Sequence, residues 1–496
     1  MANALVKVLQ LAPAFVFMPF LIRGFGLANY GLFMLAGSLS VYLGLLDLGV
    51  SPTIVKRVAE YRARGEDDGL ASLLSNSVVF YVVIGVLVST LLLLLARFGV
   101  GVFRLAASGE DVARNLFTVA AAVALFSWPL GIGHAVLSGL QRYDLSATVG
   151  SGMVIGNLVA TAYVLATNDG PVVLLAGMGL VSIVGAAVST LLAWRELGDV
   201  RLSPNHVSAK AMGSILHFGG MLFLMQVAVL VIQQQTDRLV LATFVGAAAI
   251  GLYEAAAKLS GLVDQMMAMP ISALVPASSQ MDAQQRPEAL RALFLRGTKY
   301  TLAFAAPIAV GLMTLARPVL GAWLGRQFVS QAFAAQVMLF QWLFYLNVAV
   351  AFPIFIGIGR VRFLARYTLT QAALNLCLSL VLVRPLGILG VVLGTTIADI
   401  VVFPFGVAYT LRELKVGVGE YLRRVVLPTY PFLVITVIVG LACVATGVTD
   451  TLLGVAVAGL SSVFACWLAI FAFGFEPSER QDVWRLMTMV AERVRR

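Results

Sequence analysis

The chain is 496 residues long, 60% hydrophobic and 12% charged, with a mean hydropathy of +0.95 and a formal net charge of +10. A charged share about half the ~25% of soluble domains excludes a soluble globular protein. The apolar runs approach the roughly 20 residues that cross about 30 Å of hydrocarbon as a helix, so the expected class is an all-α integral membrane protein rather than a barrel.

About fourteen spans follow from these runs and their helical spacing. The first half places them near 5–22, 31–49, 77–96, 116–139, 145–166 and 171–193. The second half places them near 212–235, 248–275, 300–316, 335–357, 363–383 and 387–410, with two more near 426–446 and 452–474. Lys7 and one long apolar run without a small-residue cleavage site read as a retained first span, not a cleaved signal. The stretch 51–75 mixes Lys56, Arg57, Arg62 and Arg64 with Glu60, Glu66, Asp67 and Asp68, and 278–299 is similar, so both read as solvated elbows. The longest outside connection, 97–115, leaves no room for a catalytic domain. After Pro477, Val483, Leu486, Met487, Val490 and Val494 share one helical face, the pattern of a tail lying along the inner membrane surface.

The two halves repeat. Gly26, Gly31, Phe33, Ala36, Leu39 and Ser40 recur in the second half, at one constant offset, as Gly246, Gly251, Tyr253, Ala256, Leu259 and Ser260. Arg97 and Gly101 recur as Arg317 and Gly321, and Gly139, Arg142 and Asn157 as Gly357, Arg360 and Asn375. Arg195-Glu196-Leu197 recurs as Arg412-Glu413-Leu414. Six spans per copy is an even number, so both copies enter the bilayer from the same side, as parallel repeats about an axis along the membrane normal. Two such bundles are expected to enclose a cavity that opens alternately to each face. The expected organisation is a six-helix bundle over 1–200, its repeat over 201–420, two additional spans over 421–475 and a cytoplasmic tail over 476–496.

With the N-terminus inside, twenty-five of the 34 Lys and Arg fall on the cytoplasmic side and eight outside, Lys258 lying within a span. That asymmetry sets both termini in the cytoplasm. The same distribution, short basic connections rather than a basic face, argues against a nucleic-acid partner. Cys377, Cys443 and Cys466 sit in apolar spans with no disulfide or metal spacing. No G-x-x-x-x-G-K-S/T loop is present, so ATP is not an internal energy source. His134 and His217 are lone polar residues in apolar surroundings and read as satisfied packing histidines.

The run 26–49, ending Leu45-Leu46-Asp47-Leu48-Gly49, resembles the opening of polysaccharide-export flippases. Asp237-Arg238-Leu239, with Gly251-Leu252-Tyr253 and Ala257-Lys258-Leu259, resembles the start of their second bundle. On these motifs the chain is similar, over essentially its whole length, to the Wzx-like group of the multidrug/oligosaccharidyl-lipid/polysaccharide exporter superfamily. The resemblance implies fourteen spans in two bundles. It also implies movement of an undecaprenyl-pyrophosphate-linked oligosaccharide between leaflets of the inner membrane for cell-surface polysaccharide biosynthesis. Lipid-linked oligosaccharide, membrane lipid and polysaccharide-assembly proteins are the implied partners. Residues alone reach only a two-bundle secondary transporter, not an enzyme.

Ionisable residues inside spans cost roughly 2.5–3.5 kcal/mol each at mid-bilayer, so they carry the site hypotheses. Span eight holds three. Glu254 and Lys258, four apart, share a face and can pair; Lys258 either stabilises its helix through that pair or meets substrate pyrophosphate. Asp264 lies about 240° around the helix from Lys258 and is the candidate for coupling to H⁺ or Na⁺, no other cofactor being expected. Arg142 and Arg360 end spans four and ten at equivalent positions, as topology anchors or as collectors of an anionic head group at the cytoplasmic mouth. Arg23, at the outer end of span one, has no basic equivalent in the repeat and is a further candidate for substrate contact. Gln233, Gln234 and Gln235 could bond sugar hydroxyls or mark the water boundary, and Pro13, Pro19, Pro270 and Pro276 interrupt spans one and eight.

Two rival functions remain open at this point. A multidrug or cation antiporter of the same superfamily would want an acidic cavity, against the excess of Lys and Arg near the spans. A membrane glycan polymerase or ligase would want a long outer loop bearing catalytic residues.

Overall fold

The computed structural model describes residues 15–103, 107–198, 200, 202–217, 219–220, 235–272 and 274–481. These are helical, with no strand among them, and they form two compact units, Met1–Gly251 and Leu252–Arg496. Ten helices among the described residues are long and apolar enough to cross a membrane, and the pair Pro287–Thr314 and Ala316–Leu324, bent by 69°, makes an eleventh. Of the three other expected spans, 5–22 and 212–235 lie partly outside the described residues, the first of them represented by the short apolar helix Phe15–Phe25. The third is the 26-residue helix Ala247–Ser272, less apolar because it carries Glu254, Lys258 and Asp264. The amphipathic tail beyond Gln481, and Pro13, Gln233 and Gln234, also lie outside the described residues.

Lipid decides which faces are apolar. On the helix Tyr143–Thr167, Ile155, Val159 and Tyr163 stand four apart and are all exposed, a stripe suited to acyl chains. The interior of the first unit is built instead from Val50, Ile54, Val58, Leu70, Leu74, Ile84, Val88 and their neighbours. Because acyl chains are as apolar as leucine, helices in a membrane associate through close packing, which small residues permit.

The duplication is visible in the backbone. Left-handed turn residues recur in pairs: Gly26 (φ 77°) with Gly246 (122°), Gly65 (67°) with Gln285 (55°), and Gln141 (59°) with Gly359 (74°). Asn168 (56°) pairs with Gly387 (55°), and Gly198 (70°) with Lys415 (52°). The pairs lie 217 to 220 residues apart, the same range as the sequence repeat.

The repeated glycines mark repeated contacts. In the first unit the elbow helix Val50–Arg64 meets the helix Ile132–Gly139 at Gly139, where a Cβ would stand 2.8 Å from both the Val55 carbonyl oxygen and Val58 Cβ. In the second unit the elbow helix Leu274–Ala283 meets Ala351–Gly357 at Gly357, where a Cβ would stand 2.6 Å from the Val275 carbonyl oxygen and 2.1 Å from Ser278 Oγ. Val55 and Val58 are the repeat equivalents of Val275 and Ser278. Gly31 and Gly251 behave alike within the first unit: their Cβ positions fall 1.9 Å from Ala247 O and 2.7 Å from Leu27 O.

The last two spans, Val418–Ala445 and Leu452–Gly474, pack in the second unit against the helix Pro287–Thr314. The Trp467 ring stacks on Phe304 with centroids 5.4 Å apart, and Tyr421 donates to Asn347 Oδ1 at 2.7 Å. Beyond them Glu479 accepts from Lys299 Nζ at 2.5 Å, both side chains being buried, and Lys299 also lies 5.2 Å from the Phe475 ring centroid.

Candidate functional site

Arg142 and Arg360 occupy matching positions as N-caps of the helices Tyr143–Thr167 and Val361–Leu386. Arg142 forms ion pairs with Asp144, at 3.0 Å, and with Glu196. Arg360 forms one with Glu413 at 3.0 Å. Glu196 and Glu413 are the middle residues of the repeated Arg-Glu-Leu motif. Each arginine thus ties the start of one span to the end of the next within its own unit. Hydrogen bonds from the guanidinium to Asp144, and then to Glu196, push the Arg142 pKa above its ordinary value, so this cation stays charged at any working pH. Spacing alone foretells neither pair, because each partner lies a whole hairpin away.

Span eight places its three ionisable groups differently from one another. Glu254 is fully buried and Lys258 half-buried. Lys258 makes no ion pair among the described residues, so the intrahelical pair with Glu254 is not formed here. Asp264 lies on an exposed part of the helix, away from the face that holds Glu254. Arg23 is exposed near the end of Phe15–Phe25, with no ion pair among the described residues. Asp237 and Arg238, singled out by the resemblance, sit in the helix Gln235–Phe244, where Asp237 is buried and Arg238 Nη1 donates to Ser38 Oγ at 3.3 Å.

A polar group in the second unit adds a residue that span-by-span reading passes over. Asp399, in the helix Ile388–Glu413, is 9% exposed and accepts a hydrogen bond from Gln371 Nε2. One turn earlier, Asn375 Nδ2 donates to Thr395 Oγ1 at 2.7 Å. The signal was available: Asp399 is a carboxylate within an apolar run.

The first unit contains a cavity of about 510 Å³ lined by residues of five spans, among them Asp47, Tyr81, Trp128, His134, Ser146 and Ser182. Asp47 ends the span Leu27–Asp47, and its carboxylate accepts from Tyr81 Oη at 2.6 Å and from the Ser51 backbone N–H at 3.2 Å. The aspartate of the Leu-Asp-Leu-Gly run therefore bonds to the opening turn of the elbow helix and to span three. His134 is exposed to this space and its side chain makes no hydrogen bond among the described residues, so the reading of it as a satisfied packing histidine does not hold. Among the described residues no group of His, Cys, Asp and Glu could hold a metal ion.

Comparison with known proteins gives this arrangement a family. Residues 1–282 match the family described as "Polysaccharide biosynthesis protein". A Shigella flexneri protein named "Putative O-antigen transporter" is 22% identical over 243 residues, which cover 48% of this chain and 56% of that one. The chain thus spans about half the length of this curated relative. Among solved structures, that of the lipid II flippase MurJ in an inward closed conformation superposes with a TM-score of 0.73, covering 95% of this chain and 97% of that one at 17% identity. An inward-facing multidrug resistance MATE transporter of the MOP superfamily gives a TM-score of 0.64 at 16% identity, covering 82% of this chain and 98% of that one. Because the family match takes in more than half of its residues, the chain belongs to the polysaccharide biosynthesis protein family, as a multi-pass helical membrane protein with a MurJ- and MATE-like fold.

Proposed function

We propose that this protein moves a polyprenyl-pyrophosphate-linked oligosaccharide across the inner membrane for cell-surface polysaccharide assembly. The family match over residues 1–282 carries the reading, and the O-antigen transporter relative agrees with it. Alternating access would carry the sugar head past the hydrocarbon while the polyprenyl tail stays in lipid. Lys258 and Arg23, without ion pairs among the described residues, are suited to neutralise pyrophosphate, and Arg142 and Arg360 would receive it at the cytoplasmic side. Both termini are assigned to the cytoplasm from the Lys and Arg asymmetry. Coupling to H⁺ or Na⁺ belongs to the same proposal, with Asp264 as its carrier.

The test is reconstitution into proteoliposomes with a fluorescently tagged polyprenyl-pyrophosphate oligosaccharide in the inner leaflet. Protein-dependent exposure of the tag to an external quencher is expected, and exposure no faster than in empty vesicles would refute the reading. The buried carboxylates Asp237, Glu254 and Asp399 favour the rival, a cation antiporter. Efflux of a cationic dye by the same vesicles, without glycolipid movement, would establish that rival.

A further inference from the structure

The duplicated fold gives the first unit's cavity an internal control. With Arg142 aligned on Arg360, the second unit carries Tyr345 in place of Ser127, Phe352 in place of His134 and Tyr367 in place of Val149. Those three rings pack on one another: Tyr345 and Phe352 have centroids 6.2 Å apart, and Phe352 and Tyr367 5.3 Å apart. The same fold can therefore fill this space with aromatic rings. In the first unit it is open, and hydroxyl, indole and imidazole groups surround it.

These polar groups lack protein partners. Ser127, Trp128, His134, Ser146, Ser182 and Ser189 make no side-chain hydrogen bond among the described residues, and Ser146 Oγ is buried without one. Unbonded donors and acceptors inside a lipid-embedded bundle are costly unless water or a ligand engages them.

The chemistry of the lining selects the ligand. No Lys or Arg lines the cavity, which disfavours an anion. The carboxylate of Asp47 is already engaged by the Tyr81 hydroxyl and the Ser51 N–H, which disfavours a bare cation. What remains is a neutral set of hydroxyls, one imidazole and the indole of Trp128, whose ring lies 6.2 Å from that of Tyr81. A sugar ring matches it, with hydroxyls for the serines and His134, and an apolar C–H face for an aromatic ring. The volume falls within the roughly 300–1,000 Å³ of small-molecule sites.

We propose that the cavity inside the first bundle is a binding subsite for a neutral sugar residue, lined by Trp128, His134, Ser127, Ser146 and Ser182. The inference rests on the flippase reading for its source of sugar, which is the head group of the transported glycolipid. A free cytoplasmic sugar would satisfy the same groups.

The full chain in lipid nanodiscs is titrated with glucose, galactose, mannose, rhamnose and N-acetylglucosamine, followed by saturation-transfer NMR, and separately with a short-chain polyprenyl-pyrophosphate monosaccharide. Saturable binding is expected for at least one sugar, and the substitutions Ser127→Tyr and His134→Phe, which install the second copy's side chains, should weaken it at least tenfold. Should either plugged variant fail to fold, Ser146→Ala combined with Ser182→Ala is expected to weaken binding about tenfold. Tighter binding of the glycolipid than of its free sugar, lost on plugging, assigns the subsite to the transported head group. Equal affinity for both assigns it to free sugar. Absence of binding by every probe, or binding that the substitutions leave unchanged, overturns the subsite. Glycolipid movement by the wild-type vesicles in that case leaves the flippase reading standing, whereas sugar binding without movement refutes that reading and keeps the cavity.

Discussion

Gly357→Ala tests whether the repeated glycines hold the fold by close approach. At Gly357 the added methyl would stand 2.6 Å from the Val275 carbonyl oxygen and 3.0 Å from the Ser279 backbone nitrogen, where ordinary contact begins near 3.4 Å. Ser278 Oγ, at 2.1 Å, can rotate away, but the two backbone atoms cannot. The elbow helix must therefore shift by roughly 0.8 Å, enough for neighbouring contacts to lose a quarter to a half of their attraction. Overpacking of this kind costs about 1–3 kcal/mol. For a unit the size of Leu252–Arg496 that corresponds to a fall in Tm of about 2–12 °C. Gly152→Ala is the matched control: Gly152 is exposed in the helix Tyr143–Thr167 with nothing within 4 Å of its added methyl, so alanine should gain about 0.5–1 kcal/mol. Thermal unfolding in detergent micelles, followed by intrinsic fluorescence, measures both. A Tm for Gly357→Ala at or above wild type would refute the close-approach argument, and Gly139→Ala should fall alongside it.

Three other outcomes are expected. Lys299→Met leaves Glu479 buried without its cation and should cost about 3–5 kcal/mol, while adding Glu479→Leu should recover most of the lost Tm. The Arg142–Glu196 and Arg360–Glu413 pairs are partly exposed, so Glu196→Gln and Glu413→Gln should each cost no more than about 1 kcal/mol in the same unfolding assay. Asp264→Asn should abolish the dependence of glycolipid movement on an imposed H⁺ or Na⁺ gradient in proteoliposomes, and unchanged dependence would sink the coupling proposal.

The membrane spans are the part of this structure most legible in its sequence, because lipid leaves no alternative to long apolar helices. Leu27–Asp47, Tyr143–Thr167 and Leu452–Gly474 fall close to the spans read from hydropathy. The end of the span read at 300–316 coincides with the break, where Arg317 and Pro318 interrupt the apolar run, but the 69° turn into a further helix, Ala316–Leu324, is not legible. Site residues are harder for a different reason. Sequence marks Arg142 and Glu196 separately as repeated positions, but their pairing depends on how two successive helices return to the same end of the bundle. His134 misleads because hydropathy sees an apolar neighbourhood, whereas its side chain faces a hollow that only tertiary packing creates.

Duplication has kept some features of the two copies and released others, and the division follows physical cost. A chain reversal needs a left-handed residue at a fixed place, so Gln141 matches Gly359 and Lys415 matches Gly198 although the side chains differ. Left-handed backbone costs a non-glycine residue roughly 1–2 kcal/mol, which is small beside misplacing a span. Two backbones in contact tolerate no methyl, so Gly139 and Gly357 are the same residue. Bundle interiors obey neither constraint. They can be filled with Tyr345, Phe352 and Tyr367 in one copy and left polar and open in the other without disturbing the turns or the helix crossings. The interiors are thus where two copies of one scaffold can take on different chemistry, and the hollow copy is the one with unbonded polar groups available for a ligand.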